Sequence, residues 1–305
     1  TTTATTTMTK LEVTGDKNLR IDNAVDFAGA TGNATVDASK FTGALNINVS
    51  SADNVTVTGG TGADRFNFGA NLTTADKVVG GEGKDTVAAT TAVALENAGA
   101  VLTGIEVAEV TGQLAMADFD VAKITGSTVN AVSMTGGFAN GASISKLTSG
   151  AELTVGANST GNTLTVNVKD ATLVANTADS LTINVGNATT AGVNAGTITA
   201  TGVENVTVNS TGVAGTAATL GGGAGVNTLH LGASATAVTV TGDVSISLSA
   251  ANNSITSVDA SKSTGAVNTT NVGLSTAGAA VKGSNKADVL AGGAGKDSIE
   301  GNAGN

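Results

Sequence analysis

The sequence predicts an all-β chain, an elongated β-solenoid or parallel β-helix carrying glycine-rich β-roll segments. Three observations predict it. Apolar residues alternate with polar ones in short runs, as in Leu45, Ile47 and Val49, Leu164, Val166 and Val168, and Leu181, Ile183 and Val185. Period two is the signature of half-buried strands. Aromatic residues make up only 2 % of the chain and tryptophan and tyrosine are absent, which suits thin cores of alanine and valine stacked turn on turn better than a globule centred on large rings. Finally, apolar anchors keep a nine-residue register: Val57, Phe66, Val78 and Val87 lie nine, twelve and nine apart, and Val272, Val281, Leu290 and Ile299 lie nine apart throughout.

Taken in order, residues 1–58 form a strand module punctuated by Gly15, Gly29, Gly32 and Gly43. Residues 59–88 form a β-roll, with Phe68-Gly69-Ala70 bulging out as an insertion. Residues 89–112 are a linker in which Thr91 to Ala98 favours a short helix, with Gly99 as its stop. Residues 113–257 are strand after strand. Residues 258–305 are a second module ending in a truncated roll. The phrase Val36-Asp37-Ala38-Ser39-Lys40-Phe41-Thr42-Gly43-Ala44-Leu45-Asn46 recurs at 258–268 with two of its eleven positions changed, so each roll belongs to a duplicated module. Gly104-Ile105-Glu106-Val107 resembles Gly202-Val203-Glu204-Asn205, a second internal echo. The chain begins without methionine and stops inside a nonapeptide, which predicts a fragment of a longer protein.

The chemistry-bearing residues sit in the nonapeptides. Gly59, Gly60, Thr61, Gly62 and Asp64 open the first; Gly80, Gly81, Glu82, Gly83 and Asp85 open its successor; Asp76 holds the corresponding place in a degenerate repeat between them. Near the end stand Gly283, Asn285 and Asp288, then Gly292, Gly293, Ala294, Gly295 and Asp297. Calcium takes six to eight oxygens in flexible geometry. A six-residue turn supplies them only if its carbonyls point inward, which glycine permits, and the aspartate adds charge. One loop gives half a shell and the loop one turn away gives the rest. Loops 59–64 and 80–85 are therefore expected to stack and share an ion, and loop 292–297 to face either 274–279 or residues beyond Asn305. Two stretches, Ala157–Thr165 with Asn162 and Gly222–His230 with Asn227, are decayed copies expected to keep the turn without the ion. Asp37 and Asp259 are expected to form turns.

The nonapeptides at 59–67, 80–88, 283–291 and 292–300 fit G-G-x-G-x-D-x-U-x, with U a large apolar residue, and so resemble the calcium-binding repeats of RTX proteins exported by type I secretion. The Thr/Ala/Gly/Asn/Val strands, the lack of cysteine and the repeated Val-Asp-Ala-Ser phrase resemble bacterial surface-layer proteins of the Caulobacter type. That resemblance implies a secreted, calcium-dependent chain that assembles with copies of itself in a two-dimensional lattice on a Gram-negative cell, anchored to lipopolysaccharide through a region outside this chain. An RTX adhesin or biofilm stalk, or the secretion domain of an RTX enzyme or toxin, are the alternative readings.

Other functions find little support in the residues. The formal charge is −10 with no basic stripe, which argues against nucleic acid. There is no cysteine for disulfide or thiol chemistry, and no long apolar run to span a membrane. His230, the only histidine, has no nucleophile motif around it, so no catalytic residues are expected and the chain reads as non-enzymatic.

Overall fold

The computed structural model describes every residue except 1–7, 26, 28–33, 50–53, 174–177, 214–224, 233 and 305. It falls into two compact units, residues 1–112 with 120–132 and residues 113–119 with 133–305. Each is a parallel β-solenoid, as the strand alternation predicts.

In the first unit, strands Lys10–Gly15, Ala34–Phe41, Val55–Thr58, Lys77–Val79 and Leu102–Thr103 stack in one sheet, and Leu19–Ile21, Leu45–Asn48, Arg65–Gly69, Thr86–Ala89 and Val107–Val110 in another. Chain order alternates between the sheets, so each nonapeptide makes half a turn. Parallel pairing puts like residues in columns. Val36, Val57, Val78 and Leu102 form one column; Ile47, Phe66, Val87 and Ala108 form the facing one. All eight are fully buried. Each such column removes a row of branched side chains from water at roughly 25 cal/mol per Å². A core one residue deep on each side is enough because every turn covers the next.

Phe68 corrects the expectation of an outward bulge. It is 1 % exposed, because Phe66 and Phe68 lie on the same inward face of one strand; the irregularity falls instead between Asn67 and Gly69, where the register shifts. The short helix forms at Ala92–Asn97, with the Thr91 side chain accepting from the Ala94 N–H.

In the second unit, Ala142–Leu147, Thr163–Val168, Asn194–Thr199, Asn227–Leu231, Ile246–Ile255 and Val267–Leu274 form one sheet. The other contains Ala151–Val155, Ser180–Val185, Asn205–Ser210, Ala237–Gly242, Ser257–Asp259, Ala280–Lys282 and Ser298–Glu300. Its longest column runs Ala151, Leu181, Val206, Val238, Val258, Val281, Ile299. Outward positions carry a polar ladder: Asn184 Nδ2 donates to Glu152 Oε1 at 2.7 Å, and Asn209 Nδ2 to Asn184 Oδ1 at 3.0 Å. Stacked amides of this kind give Asn184 and Asn209 a place on the outward face. Leu173 follows Leu164 by nine residues, as Leu164 follows Val155, yet it lies in a turn and is 56 % exposed.

Candidate metal centre

The carboxylates of the first roll form a ladder along the solenoid. Leu45 donates its backbone N–H to Asp64 Oδ1 at 2.8 Å, Asp64 donates to Asp85 Oδ1 at 2.7 Å, and Asp85 donates to Glu106 Oε2 at 2.8 Å. Each bond spans one turn, 19 to 21 residues. The loops between the strands therefore lie directly over one another. Thr61 donates its N–H to the Phe41 carbonyl and Glu82 to the Gly60 carbonyl, both at 3.0 Å. Loops 59–64 and 80–85 stack as expected, and the stack continues on both sides, onto the duplicated phrase at 38–43 and the turn at Gly104.

The glycines mark where the loops come closest. A Cβ on Gly59 would overlap the Gly80 carbonyl oxygen and lie 2.6 Å from Asp64 Oδ2. A Cβ on Gly80 would overlap the Gly104 carbonyl oxygen and lie 2.5 Å from Asp85 Oδ2. A Cβ on Gly283 would lie 2.5 Å from Asp288 Oδ2 and 2.9 Å from the Gly301 carbonyl oxygen. The same cradle thus occurs three times: a bare glycine, the carboxylate five residues on, and a carbonyl from the next turn. At Gly292 the nearest atoms all belong to Asp297, with Oδ2 at 2.9 Å. Gly60, Gly62, Gly81 and Gly83 would each overlap a carbonyl of the preceding turn, so they allow the loops to nest.

At the far end, Val267 donates to Asp288 Oδ1 at 2.8 Å and Ala279 to Asp297 Oδ1 at 2.9 Å. Gly295 packs on Gly278, so loop 292–297 faces 274–279. Asn285, Gly293 and Ala294 are exposed. Asp76 lies on the opposite side of the first roll. Its Oδ1 accepts from the Val55 N–H and its Oδ2 from the Thr73 N–H, both at 2.8 Å. Asp64 and Asp288 are hydrogen-bonded through both oxygens as well; what sets Asp76 apart is that, among the described residues, no glycine cradle adjoins it.

Glu106 is the ladder member that motif reading misses. The available signal was spacing: it follows Asp85 by 21 residues, as Asp85 follows Asp64. Its echo, Glu204, behaves alike, accepting from the Asp179 N–H at 3.1 Å through Oε2. Each glutamate carbonyl also accepts two N–H groups of the next turn, Asn130 and Ala131 for Glu106, Thr236 and Ala237 for Glu204. The second internal echo is therefore a repeated turn structure.

The decayed copies keep the turn by other means. Asn227 Oδ1 accepts from the Val193 N–H at 2.7 Å, as an aspartate would. Its Nδ2 donates to the carbonyls of Val185 at 2.9 Å and Thr211 at 3.1 Å. Gly186 faces that same Thr211 carbonyl and Asn227 Nδ2, so an amide N–H occupies the place that a carboxylate oxygen takes in the cradles. Residues 222–224 of this copy lie outside the described residues. Asn162 Nδ2 donates to the Phe138 carbonyl at 2.8 Å. Asp37 and Asp259 bind within their own turns, accepting from the N–H of Ser39 at 3.2 Å and Ser261 at 2.9 Å. Those serines hold both carboxyls below the ordinary aspartate range.

Asp64 and Asp85 move the other way. Burial pushes Asp64 up, against the N–H groups of Gly60 and Leu45. Burial pushes Asp85 up to about 6, and the charges of Asp64 and Glu106 add to it against the Asp64 N–H. Buried carboxylates that resist ionisation, faced by carbonyl oxygens, make an oxygen-only donor set that fits a hard divalent cation. Among the described residues no group of three or more acidic or histidine side chains converges; the donors are chiefly backbone carbonyls.

The RTX calcium-binding nonapeptide repeat family matches residues 49–71 and 281–305, with four copies of the repeat. The chain carries RTX repeats. Such repeats bind calcium, and the RTX cradles at Gly59 and Gly283 lie in or beside the matched segments. The RTX match stops short of loop 80–85, although the structure gives that loop the same cradle. Neither the curated proteins nor the solved structures contain a match to the chain.

Proposed function

We propose that the chain is a non-enzymatic, calcium-stiffened scaffold of the bacterial cell surface, which assembles with copies of itself in a two-dimensional surface-layer lattice. The repeated cradle of glycine, aspartate oxygen and next-turn carbonyl carries the calcium part of the reading. Calcium held there by Asp64 and Asp288 with the carbonyls of Gly80 and Gly301 supplies positive charge between stacked carboxylates and ties one turn to the next. The strand composition and the repeated phrase support the array part. Rigid faces meeting in open heterologous contacts generate extended assemblies.

RTX repeat proteins are typically exported by type I secretion, and that route suits a metal-dependent fold. Extracellular calcium modules bind at about 10⁻⁴–10⁻³ M. At ten times the dissociation constant each site adds roughly 1.4 kcal/mol to stability, and at submicromolar calcium it adds almost nothing. The rolls would then be loose inside the cell and firm outside. Electron microscopy of purified protein with millimolar calcium tests the proposal. Two-dimensional arrays that dissolve in chelator support it. Monomers that bind a glycan or a host surface would favour the adhesin stalk, and circular dichroism and protease resistance unmoved by chelator would overturn the calcium role.

A further inference from the structure

We propose that the first roll binds a calcium ion at a site no nonapeptide pair encodes, between loop 80–85 and the turn Gly104–Glu106, through Asp85 Oδ2 and the Gly104 carbonyl oxygen. The proposal rests on the reading of the rolls as calcium sites, and it changes how many ions the first roll holds and which residues hold them.

The turn at 104–106 has one glycine and a glutamate where the repeat has three glycines and an aspartate. It nevertheless occupies the next loop position. Gly80 donates its N–H to the Thr103 carbonyl at 2.9 Å, as Gly59 does to the Val79 carbonyl at 2.8 Å. Gly104 has φ +62 and no atom nearer than 3.6 Å to an added Cβ, so its glycine answers to backbone angle, not to crowding. That conformation brings its carbonyl oxygen against Gly80. Glu106, with a longer side chain, reaches back to take the Asp85 N–H and fills the ladder place of an aspartate.

The two cradles of this roll differ in one respect. Asp64 Oδ2 accepts the Gly60 N–H at 2.7 Å. Asp85 is 0 % exposed, and its Oδ2 is buried with no hydrogen-bond partner. An unmet carboxylate oxygen deep in a protein is costly and calls for a partner. This one points at the space bounded by Gly80 and the Gly104 carbonyl. A hard cation is the partner that both oxygens accept, with water completing its shell. Asp64 Oδ2, by contrast, faces the Gly80 carbonyl. The first roll then holds two ions, one per aspartate, where motif pairing predicts one ion shared by loops 59–64 and 80–85.

Calcium stoichiometry, measured on the full chain by equilibrium dialysis with calcium alone, separates the two schemes. Asp64→Asn and Asp85→Asn are each expected to bind one ion fewer than wild type, and the double variant two fewer. A double variant that loses no more than either single variant, or an Asp85→Asn chain that keeps every ion, overturns the proposal while leaving calcium binding intact. A wild-type chain that binds no calcium overturns the underlying reading as well. Glu106→Gln keeps the acceptor for the Asp85 N–H and guards against a misfolded Asp85 variant. It is expected to weaken one site by about tenfold through the lost charge; unchanged affinities at every site would count against the proposal.

Discussion

Asp64 and Asp85 are joined by the backbone N–H of the first, which donates to Oδ1 of the second at 2.7 Å. The same carboxylate therefore stitches two turns together and presents its other oxygen to the cradle above. In the absence of calcium that arrangement is sensitive to pH. Asp85 has its carboxyl raised to about 6 from an ordinary 3.8. A raised folded-state value means that its contribution is fully present below about pH 4 and is lost as pH rises through 6. In chelator, the melting temperature of wild type relative to Asp85→Asn is expected to fall by a few degrees between pH 4 and 7. In millimolar calcium, whose binding requires the ionised carboxylate, the trend should reverse. Parallel pH slopes for the two proteins in chelator would rule out Asp85 as the source.

Asn227 fills the ladder place with an amide instead of a carboxylate. It is 1 % exposed, and its amide accepts from Val193 while donating to Val185 and Thr211. Replacing it with leucine strands an N–H and two carbonyls, at a cost of about 3 kcal/mol or more. Aspartate keeps the acceptor but sets a carboxylate against two carbonyl oxygens. Both variants should lower the chelator-state denaturation midpoint. Millimolar calcium is expected to restore part of the loss for Asn227→Asp and none for Asn227→Leu, read by urea titration followed by circular dichroism.

Much of this organisation is legible in the sequence, because a solenoid maps residue spacing directly onto stacking. Val57, Phe66, Val78 and Val87 announce two facing columns by their register alone, and the pairing of 59–64 with 80–85 follows from it; for loop 292–297 the sequence leaves two neighbours open, and the packing of Gly295 on Gly278 selects 274–279. Phe68 is the exception: a three-residue insertion looks like a bulge, whereas strand alternation from Phe66 places it inside. Glu106 is hidden because a longer side chain and a single glycine reproduce a role that the motif assigns to aspartate and three glycines. In the second unit the bond from Val193 to Asn227 spans 34 residues. Loops of variable length there break the nine-residue clock, and Leu173, nine residues after Leu164, lies on the surface.

Arg65 and Glu109 form a bidentate pair across the first unit, with Nε to Oε2 and the terminal guanidinium nitrogen to Oε1 both at 2.7 Å. Glu109 is 6 % exposed, so the guanidinium bonds a carboxylate that is largely withdrawn from water. Arg65→Ala should cost about 3 kcal/mol, because the carboxylate stays buried without it. Replacing both residues with leucine is expected to recover part of that loss, since the apolar pair needs no compensation. Thermal melts of the single and double variants in calcium check this; equal losses for the two would show that the pair contributes packing alone.

The duplicated phrase has a defined task in the structure. Its tenth residue, Leu45 in the first copy and Val267 in the second, donates its N–H to the first aspartate of the roll that follows, Asp64 or Asp288, at 2.8 Å in both. The phrase is thus the step onto which each calcium loop docks. Gly60 is the contact that makes docking possible in the first copy, since a Cβ there would overlap the Phe41 carbonyl oxygen. A main-chain carbonyl within a stacked strand has little room to yield, so Gly60→Ala should separate loop 59–64 from the phrase and disturb the Leu45–Asp64 bond. Gly141 supplies the comparison: it has φ +79 but open space around an added Cβ, so Gly141→Ala should cost only the left-handed backbone, about 1–2 kcal/mol. Limited proteolysis in millimolar calcium should therefore cut Gly60→Ala within the first roll and leave Gly141→Ala resistant. Equal resistance of the two variants would mean that the phrase and the loop stack loosely, and that docking on the phrase does not order the roll.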